Sequence, residues 1–112
     1  MLVLFIVLNK VEVLEDLLEN FNSAGIRGAT VISSTGMARV LHSYGDDLPF
    51  MSSLRMLLDP EREANKTIFT LIKDDKLPDA LAAVRSAVGD LSKPDTAIVF
   101  TLPVSYAEGV GL

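Results

Sequence analysis

The chain has 112 residues, 49% hydrophobic and 22% charged, with a formal net charge of −5. That is one domain with room for a modest core, and its acidic balance with scattered bases argues against nucleic acid or an anionic membrane surface as the main partner, because phosphate recognition needs clustered Lys and Arg. The chain has no cysteine, which excludes disulfides, thiolate metal sites and a cysteine nucleophile.

Leu2–Leu8 is a continuous run of branched apolar residues, and its length predicts a buried strand. It has no basic residues before it, ends at Asn9-Lys10 and is too short to span a bilayer, so no membrane insertion is expected and the cytoplasm is the expected location. Asn9 offers a helix N-cap. Leu14, Leu17, Leu18 and Phe21 follow at helical spacing, with Glu12, Glu15, Asp16 and Glu19 on the other side. Gly25 is placed to terminate that helix, and Gly28 to turn the chain into a second strand over residues 29–35.

A third strand is predicted over 66–72. Asp74-Asp75 and Pro78 then introduce a second helix with Leu77, Leu81, Val84 and Val88 as its buried stripe. Gly89 closes that helix. Lys93-Pro94-Asp95 turns the chain into a last strand over 96–102. The order β-α-β, long loop, β-α-β predicts an α+β, ferredoxin-like domain spanning the whole chain: a four-stranded antiparallel sheet with two helices on one face.

A sheet with one wet face alternates apolar and polar residues. Leu2–Leu8 does not alternate. The last strand puts Ile98, Phe100 and Leu102 on one face and Ala97, Val99 and Thr101 on the other. The face without helices is therefore expected to be apolar too, and covered by further copies of the chain or, in a monomer, by the long loop folded back over the sheet.

The connection 36–65 is too long to be a simple turn and too apolar for a disordered linker. Tyr44, Phe50, Met51 and Leu54 are its candidate partner-docking residues. Ser52 or Ser53 is placed to cap a short helix running to Leu58, with Pro60 interrupting it or starting a new turn.

Few residues point to chemistry. His42, Asp46 and Asp47 are the only metal-like grouping, at a spacing that matches no strong motif. His42 is the only histidine, and no serine sits in a Gly-x-Ser-x-Gly elbow. No catalytic residue is assigned. Asp74-Asp75 reads as a helix-start device. Gly36-Met37-Ala38-Arg39, at a strand end and at the mouth of the long loop, carries one glycine and one arginine of the kind that approach phosphates.

Element order, length and loop position resemble the PII nitrogen-regulatory signalling proteins and their PII-like relatives. Three stretches carry the likeness: Gly25-Ile26-Arg27-Gly28-Ala29-Thr30-Val31, Gly36-Met37-Ala38-Arg39, and Val99-Phe100-Thr101-Leu102-Pro103-Val104. The resemblance implies a homotrimer with its sheets facing inward. It also implies a loop that touches a regulated target protein, and adenine nucleotide bound between subunits at the loop base. In that scheme Thr30 and Leu8 fall beside the adenine, and Gly36 and Arg39 near the phosphates. Met37 and Lys93, in the two phosphate-side segments, complete the set, and Tyr44 matches the family's modified loop tyrosine by type only.

Val40 replaces the family's glutamine, and Asp90-Leu91-Ser92-Lys93-Pro94-Asp95 replaces its Gly-Asp-Gly-Lys loop. The segment 105–112 has no base where the family has two arginines. These departures argue against ATP. The alternative of the same architecture is a structural or divalent-ion-related trimer of the CutA type, with His42, Asp46 and Asp47 as ligands.

Overall fold

The computed structural model describes residues 1–37, 40–41 and 64–111. The short helix expected near 52–58 lies outside the described residues. So do Arg39, the docking residues Tyr44, Phe50, Met51 and Leu54, and the metal grouping of His42, Asp46 and Asp47.

The elements run β1 (Leu2–Leu8), α1 (Leu14–Ser23), β2 (Thr30–Ser34), β3 (Asn65–Ile72), α2 (Leu77–Val88) and β4 (Ala97–Pro103). The strands form one antiparallel sheet in the order β2-β3-β1-β4, giving the α+β, ferredoxin-like plan. Each expected strand is present, with bounds displaced by one residue at most ends.

The first helix does not start as expected. Asn9 caps nothing: a single 3-10 turn, Val11–Val13, precedes α1, and neither Lys10 nor Val13 makes a side-chain cap. Asn9 is instead held by the sheet, its N–H donating to the Thr96 carbonyl at 2.9 Å. Glu15 and Asp16 in the first turn still favour the positive end of the helix dipole. The other end matches expectation. Gly25 has φ +85°, its N–H reaches the Asn22 carbonyl and the Ile26 N–H reaches the Phe21 carbonyl. That pair of bonds is a Schellman stop, and buried Ile26 packs in the same core as Phe21.

In α2, Val84 and Val88 are buried as expected, but Leu77 and Leu81 are only partly so. The inner positions belong to Ala80 and Ala83. Small residues there let the two helices lie close, and the Asn20 amide donates to the Ala83 carbonyl at 3.1 Å across that contact. Leu17 and Phe21 of α1 meet Leu4, Ile6 and Leu8 of β1 and Ile68 and Ile72 of β3 in the core. Each large apolar side chain buried this way contributes on the order of 1.5–3 kcal/mol. Thr70, a buried polar residue on the same side, is satisfied by donating to the Gly28 carbonyl.

Strand register defines in rows the opposite face, which is helix-free among the described elements packed on the sheet. One row is Thr30, Phe69, Phe5 and Phe100, running from edge to edge. The next row toward the loop is Ile32, Thr67, Val7 and Ile98. Leu71, Val3 and Leu102 lie on the far side of the phenylalanines.

Candidate functional site

Two features stand out: the helix-free face, and the sheet end from which the 36–65 connection springs. On the face, Phe5 packs against both aromatic neighbours, 5.7 Å from Phe69 and 5.0 Å from Phe100, centroid to centroid. Ile98, Phe100 and Leu102 on the edge strand are 59%, 43% and 50% exposed. Together they form an exposed apolar patch among the described residues.

The loop-bearing end gathers the end of β2, the start of β3, the end of β1 and the turn before β4. Ser34 and Asn65 pair in register across the loop mouth. The Ser34 hydroxyl lies 2.5 Å from Asn65 Oδ1 and 2.7 Å from Thr67 Oγ1. Beyond them the Lys66 ammonium donates to Ser33 Oγ at 2.8 Å. Gly36 follows directly, with a backbone φ outside the left-handed region; a Cβ built there would sit 3.5 Å from Asn65 Nδ2, an ordinary contact. Its carbonyl accepts from the Val40 N–H at 3.2 Å. Met37 is exposed.

The turn before β4 is shaped by Asp90. Its Oδ1 accepts from the Ser92 hydroxyl at 2.7 Å and the Ser92 N–H at 2.9 Å. The hydroxyl bond first and the N–H bond second hold this exposed carboxyl below the usual carboxylate range. Lys93 is exposed within the turn, and its carbonyl accepts from Thr96 Oγ1 at 2.9 Å.

The candidate ligand residues therefore separate. Gly36, Met37 and Lys93 share the loop-bearing end, but β2 and β4 are opposite edges of the sheet. With strands about 4.8 Å apart, those two edges are about 14 Å apart, and Gly36 and Lys93 adjoin opposite ones. Leu8 reaches the same end with its side chain fully buried beneath the helices, so it presents no surface to a ligand from within its own chain. Thr30 lies at the other end of β2, lining an open groove of about 860 Å³ between residues 25–30, Lys73–Asp79 and the tail 108–111. That groove mixes Arg27, Lys73 and Lys76 with Asp75, Asp79 and Glu108, so neither sign of charge prevails. One chain does not bring Thr30 to Gly36.

The polar grouping of Asn9, Ser34, Asn65 and Thr67 was not singled out by the sequence reading. Its signal is faint: short polar residues at the ends of three strands, which come together only once the register is known.

Among the described residues no group of three His, Asp or Glu side chains is placed to hold a metal, and no helix is long and apolar enough to cross a membrane. Set against models of known protein families and against curated proteins, the chain matches none.

Proposed function

We propose that the chain is a PII-like regulatory protein of the cytoplasm. It assembles as a homotrimer through its helix-free sheet face. It acts on a target protein through residues 36–65, without catalysing a reaction, and a small molecule bound between subunits beside Gly36 sets the state of that loop. The observation that carries the proposal is the apolar face itself. Among the described residues no element covers the rows of Phe, Ile, Val and Leu from all four strands, and further copies of the same chain supply a layer with matching chemistry.

The separation of Gly36 from Thr30 and Lys93 supports a ligand site between subunits. A second chain is needed to add a wall to either half. The absence of the family's Gly-Asp-Gly-Lys loop, with 90–95 in its place, and of any base in 105–112 fits a ligand less charged than a nucleoside triphosphate.

Thermal-shift measurements with adenine nucleotides, 2-oxoglutarate and divalent cations test this, since a ligand of the folded state raises Tm. A shift with a small organic anion, lost in Gly36→Ala or Arg39→Ala, is the expected result. A shift confined to divalent cations and lost in His42→Ala would replace the proposal with the CutA-type alternative.

A further inference from the structure

The row of the helix-free face nearest the loop differs from the rows beside it. Where those are mainly apolar, this one is polar and hydrogen-bonded from one edge of the sheet to the other. At β2, the Ser34 hydroxyl has one proton, and Asn65 Oδ1 at 2.5 Å is a pure acceptor, so Ser34 donates there. The 2.7 Å contact between Ser34 and Thr67 then has Thr67 as its donor. Asn65 Nδ2 donates onward to Asn9 Oδ1 at 3.4 Å. Asn9 is fixed in turn by β4, because its N–H and that of Lys10 both donate to the Thr96 carbonyl, at 2.9 and 3.1 Å. Thr96 Oγ1 completes the series on the Lys93 carbonyl at 2.9 Å.

Asn65 is the centre of this row. It is only 8% exposed, so its amide has little water to turn to if a partner is lost. An unpaired buried donor costs about 1–3 kcal/mol. Ser34, which donates to Asn65 Oδ1, is the last residue of β2 and stands two positions before Gly36, whose carbonyl accepts from the Val40 N–H. The Asn65 side chain therefore bonds both to Asn9, on the β4 side, and to Ser34, at the strand end that leads into the loop.

We infer that this row is a tie linking the Asp90–Thr96 turn to the base of the 36–65 loop, with Asn9 and Asn65 as positioning residues. Displacement of the turn pulls on Asn9. That loosens Asn65, whose Oδ1 holds the Ser34 hydroxyl, and frees the end of β2 that leads into the Gly36–Val40 turn. The link holds whether or not a small molecule binds at this end, and it supplies a route by which anything gripping the Lys93 turn changes the loop.

Amide exchange of the assembled protein, read residue by residue, tests the tie. Asn9→Ala removes the acceptor for Asn65 without touching β2 or Gly36. It is expected to speed exchange of the Val40 amide about fivefold, the loss of one ordinary hydrogen bond, while Val84 in α2 keeps its rate. Asn9→Asp, which keeps an acceptor oxygen, is expected to leave Val40 within about twofold of the parent. Ser34→Ala cuts the row independently, and the double variant should speed Val40 by less than the product of the two single effects, because both break one chain. A Val40 rate unchanged in Asn9→Ala, equal acceleration of Val40 and Val84, or multiplicative effects in the double variant would each overturn the tie.

Discussion

Phe5 and Phe100 stack across the β1–β4 ladder with their ring planes 7° from parallel and centroids 5.0 Å apart, on the side of the sheet opposite α1 and α2. Phe100 remains 43% exposed in that stack. An aromatic pair of this kind adds about 0.5–1.5 kcal/mol beyond burial. Its outer surface still faces solvent in the single chain, and the proposed trimer uses that surface.

Ile98 stands in the row beside the phenylalanines and is 59% exposed, so it contributes little to the fold of one chain. Ile98→Glu is expected to leave the far-ultraviolet dichroism of the chain intact while reducing its sedimenting mass to that of one subunit. An unchanged mass would show that subunits meet elsewhere.

Two glycines separate fold from function. Gly25 holds φ +85°, and a Cβ there would meet Lys76 Nζ at 3.2 Å, so Gly25→Ala is expected to cost about 1–2 kcal/mol. That is a fall in Tm of roughly 4–8 °C per kcal/mol for a domain near this size. Gly36 has neither constraint, and Gly36→Ala should change stability by no more than about 0.5 kcal/mol. Loss of a ligand-induced Tm shift in Gly36→Ala would then report close approach of the ligand to the backbone. A large loss of stability would instead assign Gly36 a structural role.

Much of the fold could be read from the residues, for identifiable reasons. The unbroken apolar run Leu2–Leu8 and the two-residue spacing of Ile98, Phe100 and Leu102 pointed both to strands and to the apolar character of the second face. Gly25 and Gly89 punctuate the helices because both adopt positive φ. What was misread depends on tertiary pairing. Asn9 has the residue type of a cap, but β4 and Asn65 take its hydrogen bonds. Leu77 and Leu81 match the period of a buried stripe, yet the close approach of α1 gives the innermost places to Ala80 and Ala83. The ligand residues were the least legible, because period and motif do not show that Thr30 and Gly36 stand at opposite ends of one short strand.

The helix contact gives a stability test. Ala80 is fully buried, so Ala80→Leu forces extra volume between α1, α2 and the sheet and is expected to cost about 1–3 kcal/mol. Leu81, only partly buried, should cost less as Leu81→Ala than the 2–5 kcal/mol typical of a buried leucine. Urea midpoints of both variants read this directly. The reverse ranking would restore Leu81 to the centre of the stripe.

Asp90 sets a pH dependence of the turn before β4. Its folded-state pKa lies below its ordinary value, chiefly through the Ser92 hydroxyl and then the Ser92 N–H. The depressed carboxylate therefore supports the turn fully above the unfolded pKa near 4, and that support is lost as pH falls through the lower folded value. Chemical shifts of Ser92 and Lys93 should hold steady from neutrality to about pH 5 and move below about pH 4. In Asp90→Asn that transition should vanish. A transition persisting in Asp90→Asn would assign it to another carboxylate.

The most direct test of the proposed assembly is sedimentation equilibrium of the unmodified chain at neutral pH over a range of micromolar concentrations. A mass of three chains is expected, with the rows of Phe5, Phe69 and Phe100 turned inward. A mass of one chain across that range would contradict the trimer and remove the subunit cleft on which the ligand proposal depends.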